Sequence, residues 1–170
     1  NLNFLKGEKP TFEDFENHLG TIFTEIRLKQ VIEFRSLDTC NFGCICNGPS
    51  FFTGLIYGSI DETYEIIKNW RKEEVMQAYL NAPKLGLNAT LEGKKLIDWA
   101  RIFFDLSKKG LEKRNEVNKS GKNETIYLKH IEEIIESKKT RAEMLIEQFN
   151  KTKNLNFLVN HDENFSYSGF

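Results

Sequence analysis

Within Gln30-Val31-Ile32-Glu33-Phe34-Arg35-Ser36, a carboxylate and a guanidinium stand two residues apart. The alternation of β-branched and aromatic residues with others predicts a strand over 30–36. On a strand, side chains two positions apart share a face, roughly 6–7 Å from one another. Glu33 and Arg35 therefore project together with Val31 beside them, while Ile32 and Phe34 are expected to turn the other way into packing. A carboxylate beside an arginine suits phosphoryl chemistry. The first is a hard oxygen ligand for Mg²⁺, and the second grips a phosphate or carboxylate with two parallel donors. An exposed salt-bridge surface would carry the same two residue types, so the pattern alone leaves both readings open.

The elements around this strand must hold it in place. Thr11 as N-cap, Pro10 before it, and Phe12, Phe15 and Leu19 at helical spacing predict a short helix that Gly20 ends. After the strand comes a loop with Asn41, Gly43, Asn47, Gly48 and Pro49. From about Ser50 the chain reads as almost wholly helical, with helices over 50–58, 62–69, 72–81, 91–108, 124–137 and 140–150. The helix at 91–108 has the clearest apolar stripe: Leu96, Ile97, Ala100, Phe103, Phe104 and Leu106. Asp61 is the expected N-cap of 62–69 and Gly110 the expected stop after 91–108. Residues 111–123 read as a loop, and the tail from Asn160 to Phe170 as poorly ordered. The fold class is thus α+β, mostly helical, with one or few strands, and no domain boundary is evident.

The 170 residues are enough for one domain with a real core, and 39% of them are hydrophobic. A formal net charge of −1 supplies no electrostatic reason to expect nucleic acid or an acidic membrane as partner. No signal peptide or bilayer-spanning run is visible, and a cytoplasmic location is expected. Cys40, Cys44 and Cys46 form a C-x3-C-x-C group whose spacing fits no common zinc pattern. Reduced thiols are the expectation, with His18 as a fourth metal ligand only if the fold brings it close.

The surroundings of the strand add a resemblance. His18-Leu19-Gly20-Thr21-Ile22-Phe23-Thr24-Glu25-Ile26-Arg27-Leu28-Lys29 runs directly into Val31-Ile32-Glu33-Phe34-Arg35-Ser36-Leu37-Asp38. This resembles the glutamate–cysteine ligases of plant and proteobacterial type, whose pattern is close to H-L-S-T-x-F-P-E-V-R-L-K followed by Y-x-E-x-R-x-x-D. Gly48-Pro49-Ser50-Phe51-Phe52-Thr53-Gly54-Leu55-Ile56-Tyr57 resembles the family's L-P-A-x-x-V-G-L-L-Y helix. Gly110 to Arg114, Glu124 to Leu128 and Arg141 to Leu145 resemble its later helical segments, in order. Gly20 and Thr24 stand where that pattern has Ser and Pro.

The resemblance implies a C-terminal portion of a glutamine-synthetase-like ligase, spanning residues 1–170 without the N-terminal strands of the sheet. It implies ATP-dependent phosphorylation of the side-chain carboxylate of L-glutamate. The amine of L-cysteine then attacks the acyl phosphate, the first step of glutathione synthesis. Glu33 would be a catalytic Mg²⁺ ligand, and Arg35 a catalytic and nucleotide-binding contact to the transferred phosphate. Arg27 would bind the carboxylate of the substrate glutamate. Lys29 and His18 are lesser candidates, His18 fitting a packing or capping role better and Asp38 a loop-fixing one. Such enzymes take further metal ligands and most nucleotide contacts from strands earlier in their chain. Because this chain begins at Asn1 and shows one clear strand, it is expected to be a fragment that is inactive alone: a subdomain, a cleaved product, or one piece of a split enzyme that pairs with the N-terminal part. A related ligase that joins glutamate to another amine, or a helical interaction module without catalysis, remains an alternative.

Overall fold

The structure, a computed structural model, describes residues 7, 9–28, 30–37 and 44–156. Lys29, Asp38, Cys40 and the tail from 157 onward lie outside these residues, so the expectations for them are not addressed. The chain separates into two compact units, Asn1–Thr39 and Cys40–Phe170. The division falls ahead of the change in sequence character near Ser50.

In the first unit, α1 (Phe12–Gly20) begins as its sequence predicts. The Thr11 hydroxyl accepts the Asp14 amide at 3.2 Å, and the Asp14 carboxylate accepts the Thr11 amide at 2.8 Å. This reciprocal cap satisfies two amides that the first helical turn leaves without partners. The helix ends at Gly20, and the Thr21 amide bonds back to the carbonyls of His18 and Leu19.

Next comes an antiparallel hairpin of β1 (Ile26–Leu28) and β2 (Ile32–Phe34), with Arg27 directly opposite Glu33. The strand is thus shorter than 30–36, and it has a partner that the sequence reading did not supply. Arg35 extends the pairing one step past β2 through its amide, which donates to the Glu25 carbonyl at 2.9 Å. Ile32 is 54% exposed, which corrects the expectation that its face turns into packing. No residue of α1 is buried either. A nine-residue helix and two three-residue strands hold too little apolar surface to enclose an interior of their own.

The second unit is mostly helical. Its elements are α2 (Asn47–Thr53), a π-helical turn (Gly54–Gly58), α3 (Ile60–Ile67), α4 (Lys72–Leu85) and a 3₁₀ turn (Gly86–Asn88). The strands β3 (Thr90–Leu91) and β4 (Lys94–Lys95), the long helix α5 (Leu96–Arg114) and a second 3₁₀ turn (Glu124–Leu128) follow. Helices α6 (Lys129–Ser137) and α7 (Arg141–Thr152) complete it. The core is built on α5: Ile97, Phe104 and Leu111, seven residues apart, pack with Leu128 and Ile135. Phe103 leaves this stripe and joins Trp70 and Trp99 in a separate aromatic cluster.

Several boundaries differ from the sequence reading, each for a physical reason. Residues 91–95 are not the start of a helix but part of the β3–β4 hairpin, turned through Glu92 and Gly93 at φ of 47° and 74°. The Glu92 carboxylate is held below its ordinary range by the Arg71 amide and guanidinium, and this contact secures the turn. Gly110 does not stop α5. It sits buried inside the helix, where an added side chain would run into the Gly54 carbonyl. The helix ends instead at Asn115, which adopts the left-handed conformation. Ser59, not Asp61, precedes α3, and its hydroxyl donates to the Leu106 carbonyl of α5 at 2.9 Å. Residues 115–123 form a hydrogen-bonded loop in which Asn118 Oδ1 accepts the amides of Ser120 and Lys122. No described helix is long and apolar enough to cross a membrane.

Candidate active site on the β1–β2 hairpin

The first unit brings Arg27, Glu33 and Arg35 together. Cross-strand pairing sets Arg27 against Glu33, and a two-residue step sets Arg35 on the same side as Glu33. Arg27 grips one carboxylate oxygen twice, through Nε at 2.8 Å and a terminal amine at 2.7 Å. Its other terminal nitrogen donates to the Gly20 carbonyl at 2.8 Å. Arg27 thus ties the end of α1 to the hairpin while fixing Glu33.

Arg35 is placed differently. Its nearest nitrogen lies 3.9 Å from the second Glu33 oxygen, beyond hydrogen-bond reach, so attraction to the carboxylate does not consume a donor. The central carbon of its guanidinium lies over the Phe23 ring, 4.6 Å from the centroid. The side chains of Arg27 and Arg35 are 21% and 19% exposed and that of Glu33 is 40% exposed. A partly covered carboxylate flanked by two guanidinium groups is a compact charged site. One arginine is committed to structure, and the other keeps its forked edge for an incoming oxyanion.

His18 sits in the exposed last turn of α1, where its carbonyl caps Thr21. Among the described residues, no three or more His, Cys, Asp or Glu groups are placed to hold a metal ion. Cys44 is disulfide-bonded and Cys46 is a free thiol, which corrects the expectation of uniformly reduced cysteines. Sequence reasoning missed the Arg27–Glu33 pair and the Phe23–Arg35 stack. The first had a usable signal, since Ile26-Arg27-Leu28 also alternates and stands one turn ahead of Ile32-Glu33-Phe34.

The profile of glutamate-cysteine ligase family 2 (GCS2) matches residues 5–161, a span that includes this hairpin and nearly all of the helical unit. The chain belongs to that ligase family. It is 35% identical over 147 residues to the chloroplastic glutamate–cysteine ligase of Solanum lycopersicum, covering 85% of this chain and 27% of that protein. The chloroplastic glutamate–cysteine ligase A of Oryza sativa subsp. indica is 35% identical over 142 residues, covering 82% and 28% respectively. The chloroplastic enzyme of Arabidopsis thaliana is 33% identical over 151 residues, covering 88% and 28%. The chain therefore spans little more than a quarter of the curated relatives that it matches.

Two further contacts fix the surroundings of the site. Thr24 donates its hydroxyl to the Ile26 carbonyl at 2.7 Å and so fixes the entry to β1. Gly20 serves through its carbonyl, which any residue would provide.

Proposed function

We propose that this chain is the C-terminal portion of an ATP-dependent glutamate–cysteine ligase and carries part of its active site. The observation that carries the reading is Glu33, clamped by Arg27 beside a guanidinium with donors to spare, in a chain of this ligase family. A γ-carboxylate that attacks ATP, and the acyl phosphate that results, both need cationic donors to spread their charge. Arg35 would supply two such donors to the transferred phosphate. In this reading Arg27, expected from the resemblance to bind the carboxylate of the substrate glutamate, also positions Glu33: three of its five N–H groups go to Glu33 and Gly20, and the other two are left for a substrate carboxylate.

Mg²⁺, when bound, would neutralise the triphosphate and polarise the transferring phosphoryl group. It is commonly held by one or two carboxylates, with waters and phosphate oxygens filling the rest of its octahedron. Glu33 fits as one ligand of such an ion, but not as a complete cage. The remaining ligands and most nucleotide contacts would come from the rest of a glutamine-synthetase-like fold. Support for that missing partner comes from the uncovered apolar surface of the first unit, where Phe12, Phe15, Ile26, Leu28, Val31 and Ile32 are all exposed. The relatives are named as chloroplastic proteins. A disulfide at Cys44 sits poorly with a reducing cytoplasm, so the expected cytoplasmic location gains no support from it.

The deciding experiment measures ADP release with ATP, Mg²⁺ and glutamate, with this chain alone and with the remainder of the parent protein. Turnover that requires both parts and rises with added cysteine supports the reading. Absence of nucleotide binding and of turnover in both arrangements refutes it. Replacing cysteine by other amines in the same assay separates a glutamate–cysteine ligase from a ligase for another amine.

A further inference from the structure

Phe23 is the most exposed large apolar residue among those described, at 83%, yet it lies in the stretch that leads into the candidate site. Such exposure is costly for an aromatic ring unless the ring has a task. Its backbone is set from both sides. The Thr21 and Ile22 amides bond back to His18 and Leu19 at the end of α1, and the Thr24 hydroxyl holds the Ile26 carbonyl at the start of β1. Arg35 is fixed next to this stretch by its own amide, which donates to Glu25. Main-chain bonds therefore bring the ring and the guanidinium together, and the stack at 4.6 Å follows from them.

We infer that Phe23 is a positioning residue for the ligase reaction: its ring confines the Arg35 guanidinium, so that donors of that group stay directed at the phosphoryl oxygens. This rests on the ligase reading above. An aromatic partner holds a cation without offering a hydrogen-bond acceptor oxygen, whereas a carboxylate partner would occupy the N–H groups. Glu33 stands too far from Arg35 to set the orientation by hydrogen bonds, so the aromatic face is what restricts the long side chain.

The test uses Phe23→Leu and Phe23→Tyr. In ¹⁵N spectra of this chain, the Arg35 Nε–H resonance is expected upfield, under the ring current, in the unmodified protein and in F23Y. F23L should return it to the position of a solvated arginine. In the ligase formed with the remainder of the parent protein, F23L should lower kcat about two- to fivefold, the worth of a partly exposed cation–π contact. The KM for cysteine should stay unchanged, and F23Y should restore kcat. An Arg35 resonance that does not move in F23L, or an unaltered kcat in that variant, overturns the role of Phe23. An unmodified enzyme without any turnover overturns the ligase reading itself, whatever the resonance does.

Discussion

Arg27 and Glu33 face each other across the β1–β2 hairpin, joined by two nitrogen–oxygen contacts of 2.8 and 2.7 Å to a single carboxylate oxygen. A guanidinium can make this double contact and still reach the Gly20 carbonyl, whereas an ammonium cannot. Arg27→Lys should therefore weaken the hold on Glu33. Turnover of the reconstituted ligase should fall roughly tenfold, the value of one charge-assisted hydrogen bond. Lysine activity equal to arginine would show that the fork has no role.

Arg35 should behave as a contact to the reacting phosphate. Arg35→Ala and Arg35→Lys are both expected to reduce kcat by about 10²–10³-fold, the loss typical of a donor removed from the transition state. Thermal unfolding should shift little, because the pairing bond at this position comes from the backbone amide, which the substitutions retain. Near-normal turnover in either variant would return Glu33 and Arg35 to the status of a surface ion pair.

Two glycines should respond in opposite ways. A methyl at Gly110 would meet the Gly54 carbonyl, so Gly110→Ala should cost about 3 kcal/mol by overpacking. That loss lowers the melting temperature by roughly 6–12 °C for a chain of this length. Gly20 has open space around an added Cβ and no positive φ. Gly20→Ala should be neutral, or stabilising by up to about 1 kcal/mol through the unfolded chain. Calorimetry on the two variants checks both signs.

The acid limb of stability should trace to capped and paired carboxylates. Asp14, Glu62, Glu92 and Glu143 are all held below the ordinary carboxylate range. For Glu143 the cause is the Thr140 amide first, then the Thr140 hydroxyl. A lowered folded value means that the unfolded chain takes up the proton first as pH falls. The stabilisation is therefore fully present above about pH 5 and drains away below about pH 4. Glu143→Gln keeps a group able to cap α7 but removes its titration, so its urea midpoint should fall less steeply between pH 5 and pH 3. Superimposable acid limbs for the two proteins would count against this account.

Much of the scaffold was legible because its signals are local. Thr11 marks a helix start as N-cap, and it forms a reciprocal cap with Asp14 three residues on. The shared side of Glu33 and Arg35 followed from a period of two. Other features depend on contacts far apart in sequence. Gly110 reads as a helix stop until Gly54 is placed against it, since glycine serves close packing as readily as chain reversal. The turn at Glu92 was hidden because a glutamate with positive φ is uncommon, and the Arg71 contact that accompanies it lies 21 residues away. In the site, the partners of Arg27, Glu33 and Gly20, became visible only once the hairpin register was known.

The crossing of the π-helical turn with α5 behaves as a weld. Where Gly54, Gly58 and Gly110 let one main chain lie on another, neither element can roll or slip by a fraction of a turn without carbonyls colliding. Tyr57 and Arg114, on the outside of that joint with the cation 5.7 Å from the ring centroid, are thereby kept in step. A push on either element would be handed to the other undiminished.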